Sequence, residues 1–386
     1  MSVLTIMLTD ACNCNCSYCY QKILSNNNIG DFKKEWVERL DSILPDFDEI
    51  HFFGGEPLLQ EEVIFKLSEK VESLMLVKKI EKFPIFSFST NLTFLSKKFK
   101  SFLINSRKCG RKVNFIITVD GRKDIHDKNR TMVCGESSYE RIKKNYKFLI
   151  SNGMNISTIY IVYNKTHINN KMSLRDCIEC VIDEFPYTSY IVFNYESFLE
   201  QTKISENTFE ELKYNLTDLI FQDIISKKSE LKKCVPFLLY EIFNIYSSII
   251  TEQSDKTKCV MEGKKLSILP DGSIYMCTDQ YYYGQRSIAS LQEKTDLKQI
   301  YQTYVLPENR KNVHCEQCNI KLLCRLCPIK SEYKKDCERN KKYYTMVLDN
   351  LKKIYGDLET AKYFIWYLKL PKEIFWTIYE RLLKKE

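Results

Sequence analysis

The chain has 386 residues, of which 44% are hydrophobic and 28% charged, a composition typical of a globular protein with two or three packed units. The net charge of +8 is spread along the sequence and gives little support to nucleic-acid binding, and 4 histidines are too few for a His-rich metal site. Neither a signal peptide nor an apolar run of about 20 residues is visible, so we expect a cytoplasmic protein without membrane contact. The high number of cysteines, 16 in all, is therefore expected to reflect iron–sulfur ligation rather than disulfides.

Strand-like and helix-like patterns alternate through residues 1–230. Apolar runs rich in β-forming residues predict strands at Val3–Leu8, Ile50–Phe53, Ile85–Ser89, Asn114–Val119, Ile156–Val162 and Ile191–Asn194. Helical periodicity predicts helices at Phe32–Leu44, Glu61–Leu76, Lys97–Asn105, Tyr139–Ser151, Ser173–Glu184 and Thr208–Ser226. Six βα units in strict alternation predict an α/β fold with a parallel sheet and helices on its outer face.

Three cysteines follow the first predicted strand with C-x3-C-x2-C spacing: Cys12, Cys16 and Cys19. Three thiolates on one short loop can hold three corners of a [4Fe–4S] cluster and leave the fourth iron open. Tetrahedral zinc would normally take a fourth Cys or His nearby. Because an open iron can bind a substrate or a cofactor directly, this loop is predicted to be a catalytic metal site.

Further motifs follow the next strands. They are Gly54-Gly55-Glu56-Pro57, Ser89-Thr90-Asn91, Thr118-Val119-Asp120-Gly121 and His126-Asp127-Lys128-Asn129-Arg130. In βα barrels, chemistry collects at the carboxyl ends of the strands. The motifs are therefore expected to meet at one open end of the barrel, where the strands have their carboxyl ends; this end is called the mouth.

Together with the cysteine loop, these four motifs resemble those of the radical S-adenosylmethionine (SAM) enzymes, in the branch with a C-terminal SPASM domain that modifies peptides and proteins. The resemblance implies a TIM-like partial (β/α)6 barrel whose [4Fe–4S] cluster is held by Cys12, Cys16 and Cys19. It also implies cleavage of SAM to methionine and a 5′-deoxyadenosyl radical, which abstracts hydrogen from the substrate. The implied SAM-binding residues are Tyr18, Gly54, Gly55, Glu56, Asn91, Thr118 and Arg130.

The resemblance gives these residues separate roles. The glycine pair matches the motif that holds the amino group of SAM, since glycine lets the backbone approach a ligand. Glu56 either accepts a hydrogen bond from that amino group or ties its loop to a neighbouring one. Tyr18 matches the adenine contact, Thr118 stands where the family often has a serine near the ribose, and Arg130 matches the arginine that engages SAM. Each could instead be a loop or core residue, most readily Thr118 and least readily Gly55.

A second group of cysteines follows a helical connection around Leu238–Ile250. The turn Pro270-Asp271-Gly272 predicts a hairpin that returns Cys277 toward Cys259. The cysteine order resembles a SPASM domain, here residues 231–340, with two auxiliary [4Fe–4S] clusters. The resemblance assigns one cluster to Cys315, Cys318, Cys324 and Cys337, and the other to Cys259, Cys277 and Cys327.

Alternatives remain within this group. The three-cysteine set either leaves an iron open to substrate or is completed by Cys234. The spacing from Cys324 to Cys327 is one residue shorter than the family usually has, and C-x2-C pairs also suit structural zinc. Asp279 resembles, in rough position, the catalytic base of sulfatase-maturing members, or is a solvated loop acid.

The remaining cysteines are assigned no metal. The spacing of Cys14 does not match a ligand, and Cys177 and Cys180 are expected to be two semi-buried thiols rather than a redox pair. Cys109 and Cys134 are expected to act as small apolar residues. The aromatic-rich segment 341–386 predicts helices broken near Pro371, whose apolar face either packs on its own domain or docks a peptide.

The resemblance implies a maturase of a ribosomally made peptide that forms a thioether or carbon–carbon cross-link. The runner-up is an anaerobic sulfatase-maturing enzyme, although its substrate-side motif is not evident in residues 193–196. A non-catalytic electron carrier or zinc-binding module is the alternative from another class. Since the first strand begins at Val3, we expect no fused leader-recognition domain; a peptide or protein substrate would bind the chain's own surface or a separate leader-binding protein, and flavodoxin or ferredoxin would donate electrons.

Overall fold

The strands of the computed structural model form one large sheet and one small one. The structure describes residues 2–19, 21, 29–195, 202–250, 265–282, 284–293, 323 and 333–380. The strands in this part of the chain are β1 (Val3–Met7), β2 (Cys14–Cys16), β3 (Glu49–Phe53), β4 (Ile85–Thr90), β5 (Val113–Thr118), β6 (Arg130–Met132), β7 (Asn155–Val162), β8 (Thr188–Asn194), β9 (Lys265–Ile268), β10 (Ser273–Tyr275) and β11 (Ala289–Ser290).

The predicted parallel sheet is confirmed. Its strands lie in the order β1-β3-β4-β5-β7-β8, each parallel to its neighbour, with Ile6 opposite Phe52 in the first pair. All six predicted strands are present, with ends shifted by three residues at most. Because sequential strands are adjacent and parallel, their carboxyl ends lie along one edge of the sheet.

Helices connect the strands. Those in the described ranges are α1 (Glu61–Leu76), α2 (Lys97–Lys108), α3 (Lys123–Asn129), α4 (Ser138–Ser151), α5 (Lys165–Asn169), α6 (Leu174–Glu184), α7 (Glu206–Ile225), α8 (Val235–Ile250), α9 (Thr278–Tyr282), α10 (Tyr333–Gly356), α11 (Leu358–Leu368) and α12 (Lys372–Ile378). Serine caps fix several starts: the side chain of Ser96 accepts a hydrogen bond from Phe99 N, and Ser173 forms a capping box with Asp176. None of these helices is long and apolar enough to span a membrane.

The predicted α-helix over 32–44 is wrong. The chain forms two 3-10 segments there, Lys34–Leu40 and Leu44–Asp46. No side chain caps the first segment at Lys33, and Pro45 restricts the residue before it and removes a backbone donor. The apolar spacing that suggested a helix instead buries Trp36 and Leu40 against the core.

The predicted hairpin is present and extends the main sheet. β9 and β10 are antiparallel, while β9 also pairs in parallel with β1, with Leu4 opposite Leu266. Gly272 has φ +84°, and a Cβ there would lie 2.4 Å from the ring of Trp36, so the turn requires glycine for its conformation and its packing. The segment after Cys277 is thereby attached beside β1 and the cysteine loop.

The C-terminal helices pack on α7 and α8. The break near Pro371 is confirmed, since α11 ends at Lys369 in a left-handed conformation and Pro371 caps α12. Phe364, Tyr367 and Phe375 are buried in the core. Part of this aromatic face therefore packs on the rest of the chain, whereas Trp366 and Trp376 are exposed.

Candidate functional site at the mouth of the sheet

The cysteine loop is held by an unexpected strand pair. β2 pairs antiparallel with β6, so that Cys16 lies opposite Arg130, and Ser17 N donates to Asn129 O at 2.8 Å. Cys16 packs with Cys14, Tyr18 and Met132, and Cys12 and Cys19 pack against this cluster. The structure thus brings the three predicted ligands together and joins their loop to the segment that carries Arg130.

The environment of the thiols suits metal ligation. A hydrogen bond with Cys14 lowers the pKa of the Cys12 thiol to about 6, whereas burial raises the pKa of Cys16 to about 11 despite the nearby positive charge of Arg130. The Nδ2 of Asn91 lies 3.6 Å from the Cys12 sulfur. Thiolate is the form that binds metal, and these donors favour it at Cys12.

Over the described ranges, no three Cys, His, Asp or Glu side chains converge tightly enough to hold a single metal ion. A [4Fe–4S] cluster does not need that convergence, because each thiolate binds a different iron. Three separate thiols on one loop are compatible with such a cluster.

The glycine motif packs directly against the cysteine loop. Gly55 N donates to Thr9 O at 2.8 Å and Glu56 N to Ala11 O at 2.9 Å. A Cβ on Gly55 would lie 2.2 Å from Ala11 O, and one on Gly54, whose φ is +143°, would lie 2.4 Å from Thr9 O. The close approach that the glycines permit is therefore, in this structure, an approach to the backbone of the cysteine loop.

Glu56 ties neighbouring loops together, and its contact with the amino group of SAM stays a prediction. Its carboxylate accepts hydrogen bonds from Thr90 Oγ1 at 2.7 Å, Asn91 N at 2.7 Å and Leu58 N at 3.1 Å. Asn91 Nδ2 also donates to Asn13 Oδ1 at 2.8 Å. Burial raises the pKa of Glu56 to about 7. The loops after β1, β3 and β4 are thus joined through Glu56 and Asn91.

Tyr18, Asp120 and Arg130 form a buried network. The Tyr18 hydroxyl donates to Asp120 Oδ2 at 2.7 Å and accepts from Arg130 Nη1 at 2.8 Å. Asp120 Oδ1 accepts from Val162 N at 3.0 Å. Sequence reasoning quoted Asp120 within a motif but gave it no role; its position directly after a strand, before Gly121, was the available signal.

Two buried histidines fix the backbone of Asp120. Asp120 N donates to His126 Nδ1 at 3.1 Å, and His167 Nε2 donates to Asp120 O at 3.2 Å. Burial lowers the pKa of both imidazoles, so both are neutral near pH 7. Sequence reasoning quoted His126 within a motif without giving it a role and did not mention His167.

The mouth also gathers buried polar atoms without a protein partner. Within the described residues these include Ser17 Oγ, Gln21 Oε1, His126 Nε2, Asn129 Oδ1, Arg130 Nε and Asn164 Nδ2. Buried polar atoms are normally paired, so this concentration marks a place for a polar ligand. Three thiols on one loop beside an incompletely paired guanidinium fit the predicted cluster and the predicted carboxylate-bearing cofactor. Thr118 ends β5 half-buried, and its contact with a ribose stays a prediction.

The C-terminal site residues are only partly described. Cys259, Cys315, Cys318, Cys324 and Cys327 lie outside the described residues, whereas Cys277 and Cys337 are half-buried. Asp279 is exposed on α9. Gln21 Nε2 donates to Gly54 O at 3.1 Å and to Tyr282 OH at 3.3 Å, so α9 reaches the glycine loop. The auxiliary ligand sets and the basic role of Asp279 remain predictions.

Other cysteines are placed clearly. Cys234 is fully buried in the core, in a 3-10 turn that packs on α6, and burial raises its pKa to about 12; this location disfavours it as the missing cluster ligand. Cys177 is fully buried and Cys180 half-buried, close to the expectation of two semi-buried thiols. Cys109 and Cys134 are exposed, so the prediction that they pack as small apolar residues is wrong.

Comparison with known proteins identifies the N-terminal part. The model of the Radical SAM superfamily matches residues 6–173. The chain carries a radical SAM domain. The matched range contains the cysteine loop, the glycine motif, Asp120 and Arg130, so it covers the mouth described above. The predicted enzyme class and the predicted SAM and [4Fe–4S] cofactors of this domain are confirmed.

Individual proteins are similar over a longer range. The cysteine-type anaerobic sulfatase-maturating enzyme of Clostridium novyi is 26% identical over 377 residues, which cover 88% of each chain. The solved structure of native anSMEcpe with bound AdoMet and Cp18Cys peptide superposes with a TM-score of 0.66 at 18% identity, covering 90% of this chain and 98% of that one. Streptococcus suis SuiB bound to precursor peptide SuiA gives a TM-score of 0.54 at 17% identity, covering 84% of this chain and 70% of that one. These two structural likenesses show the fold, and the predicted partial barrel with a C-terminal part is confirmed.

A separate cavity lies far from this mouth. Its volume is about 630 Å³, and its lining includes Thr188 at the start of β8, Pro186, Phe243 and Ile374. Because it opens at the amino ends of the strands, it contains none of the predicted SAM-site residues.

Proposed function

We propose that the chain is a radical SAM maturase that removes hydrogen from a residue of a peptide or protein substrate. The observation that carries the proposal is the joining of the three-cysteine loop, the glycine motif and Arg130 at one mouth, through the β2–β6 pair and Glu56. When bound, the cluster and SAM would supply the 5′-deoxyadenosyl radical that begins the reaction. Relatives named for sulfatase maturation, and neighbours solved with peptides, support a peptide or protein substrate.

The residues of this chain hold and orient the reacting groups. Cys12, Cys16 and Cys19 would hold the cluster, and the guanidinium of Arg130 would bind the SAM carboxylate. Glu56 and Asn91 keep the surrounding loops in register through the hydrogen bonds described above. The helix α9 follows Cys277 and is bridged to the glycine loop by Gln21, which supports a substrate position between the mouth and Cys277.

The C-terminal part is proposed to be a SPASM domain at residues 231–340, followed by a helical segment at 341–386. Its two auxiliary clusters would use Cys315, Cys318, Cys324 and Cys337, and Cys259, Cys277 and Cys327. These clusters would accept the substrate electron or bind a substrate thiolate. A separate leader-binding protein and a flavodoxin or ferredoxin are the proposed partners.

Two products are proposed for the reaction. The first is a thioether or carbon–carbon cross-link, in which the peptide loses two hydrogens and keeps its sulfur. The second is formylglycine, for which a cysteine loses its sulfur and gains an oxygen; its support is the similarity to a sulfatase-maturating enzyme along 88% of both chains. Mass spectrometry of the treated substrate peptide separates the two by elemental composition.

The decisive experiment replaces Cys12, Cys16 and Cys19 with alanine in anaerobically reconstituted protein. The variant should make no 5′-deoxyadenosine from SAM and dithionite, while iron falls by about four per chain from about twelve. Cys109→Ala, which replaces an exposed cysteine at the end of α2, is the control and should keep both activity and iron. If the triple variant still made 5′-deoxyadenosine, the proposed function would be wrong.

A further inference from the structure

We propose that Asp120 is a positioning residue for SAM and acts on Arg130 through the hydroxyl of Tyr18. The proposal rests on the SAM-binding role of Arg130 in the proposed function. Two hydrogen bonds link the three side chains, from Tyr18 to Asp120 at 2.7 Å and from Arg130 to Tyr18 at 2.8 Å. All three residues are at most 7% exposed, so water does not compete for these contacts.

The hydroxyl stands between two buried opposite charges. The Tyr18 hydroxyl donates a hydrogen bond to the carboxylate and accepts one from the guanidinium, so both contacts fix the orientation of the hydroxyl. The carboxylate of Asp120 balances the positive charge of Arg130 without accepting a hydrogen bond directly from the guanidinium. One of these donors, Arg130 Nε, has no protein partner within the described part of the chain.

Asp120 is itself rigidly held. Its second carboxylate oxygen accepts from Val162 N, its backbone amide donates to His126, and its carbonyl accepts from His167. These contacts come from β7, α3 and α5, so three elements fix the position of one carboxylate. The fixed carboxylate orients the hydroxyl of Tyr18, and the hydroxyl in turn orients the guanidinium of Arg130.

Arg130 needs such control because two other groups that can accept its hydrogen bonds are near. It lies opposite Cys16 in the β2–β6 pair, and Asp120 would attract it directly if the hydroxyl were absent. A guanidinium drawn toward either group would turn its free donors away from the mouth. With Tyr18 in place, Nη1 is occupied and the remaining fork stays available for a carboxylate, which guanidinium binds in a planar, two-point manner.

The role assigned to Tyr18 differs from the one that the family resemblance implies. An adenine contact would use the ring, whereas the network uses the hydroxyl. Tyr18→Phe separates the two, since it keeps the ring and removes one oxygen atom. Asp120→Asn keeps the shape and removes the charge.

The test uses reconstituted holoenzyme and SAM as the probe. In Tyr18→Phe and Asp120→Asn, the dissociation constant for SAM should rise about ten- to hundredfold, the range expected for losing a charged hydrogen-bond partner. The KM for SAM in 5′-deoxyadenosine formation should rise in parallel, with kcat nearly unchanged. Iron content and the electron paramagnetic resonance signal of the reduced cluster without SAM should match the parent protein, and the change that SAM causes in this signal should need more SAM.

Asp127→Asn is the matched control. Asp127 lies on the same segment, but its carboxylate accepts from Ser137, Ser138 and the backbone of Tyr139, which fixes the start of α4. The Asp127→Asn variant should bind SAM with the affinity of the parent protein. If Asp120→Asn does not fold, Tyr18→Phe still decides the matter.

The variants also separate failure of the inference from failure of the proposed function. If Arg130→Ala binds SAM normally, the role of Arg130 in the proposed function is wrong. If Arg130→Ala weakens binding but Tyr18→Phe does not, the positioning role alone is overturned. In the double variant Tyr18→Phe/Arg130→Ala, the loss should equal that of Arg130→Ala; additive losses, or reduced iron in Tyr18→Phe, would also overturn it.

Discussion

Two groups of buried charges differ in what they leave unpaired. At the mouth, Arg130 and Asp120 are joined through Tyr18, and Arg130 keeps a nitrogen without a protein partner among the described residues. In the helical layer, Lys213 of α7 meets Glu241 of α8 at 2.9 Å, and its ammonium lies 4.6 Å from the ring of Tyr343.

The difference distinguishes a binding site from a structural contact. Lys213 has a carboxylate and an aromatic ring as partners, so its charge is satisfied by the fold. The mouth combines similar residue types with donors and acceptors that the fold does not satisfy. Burial of a charge is therefore uninformative about function until its remaining hydrogen-bonding capacity is counted.

The largest effect on stability is expected in the helical layer. Glu241→Ala should lower the free energy of unfolding by about 3 kcal/mol, since a buried ammonium loses its counter-charge while retaining some contact with water. SAM affinity of the folded protein should not change. Denaturant unfolding and SAM binding measure the two quantities. The double variant Lys213→Met/Glu241→Leu should recover much of the stability, and weaker SAM binding in Glu241→Ala would contradict the distinction between the groups.

A smaller loss of stability, with a large functional effect, is expected at the glycine motif. In Gly55→Ala, the added Cβ would lie 2.2 Å from Ala11 O, so the cysteine loop must move. Overpacking of this kind costs about 2 kcal/mol, and SAM cleavage should be lost with it. Gly356→Ala, where no atom lies within 4 Å of the added Cβ, is the control and should lower neither thermal stability nor activity. Normal SAM cleavage by the Gly55→Ala variant would contradict this prediction, because it would show that the site tolerates movement of the cysteine loop.

The smallest effect is expected from His51, a half-buried polar group without a counter-charge. His51 hydrogen-bonds to Ser89 at 2.7 Å, and burial lowers its pKa to about 4. The unfolded chain binds a proton near pH 6.5 and the folded chain does not, so this contribution to stability is present above pH 6.5 and is lost as the pH falls toward 4. Between pH 7 and 5 the loss is about 1–2 kcal/mol.

His51→Asn tests this linkage. The variant should lose less unfolding free energy than the parent protein between pH 7 and pH 5, as measured by denaturant titrations under anaerobic conditions. His126 and His167 contribute in the same direction in both proteins, so the difference between the two reports His51. Equal pH dependence would mean that His51 is protonated as readily in the folded state as in the unfolded one.

Local patterns predicted much of the barrel. The helix Glu61–Leu76 was predicted at its observed bounds, because its apolar spacing is regular and its first turn is acidic. The strands were predicted within three residues at each end, and the motifs lie where strand ends are expected to carry chemistry. The helix predicted over 32–44 failed because capping and the following proline, rather than periodicity, decided the local conformation.

Pairings between distant segments were not predictable in this way. Nothing in the run Cys14–Cys16 indicates that it pairs with Arg130–Met132, more than a hundred residues away. The sequence also gives no indication that β9 lies beside β1. The exposure of Cys109 and the burial of Cys234 depend on which surfaces other elements cover.

Residue identity and spacing were enough to predict the cysteine loop and the alternation of parallel strands with helices, because these are short-range properties of the chain, and the resemblance of the motifs implied the cofactor class. The partners of Tyr18, Asp120 and Glu56 were settled by folding, since a hydrogen bond requires two groups to meet within about 3 Å and that meeting depends on the packing of whole strands and helices. The network that holds Arg130 is therefore a property of the assembled mouth, built from chemistry already present in the separate motifs.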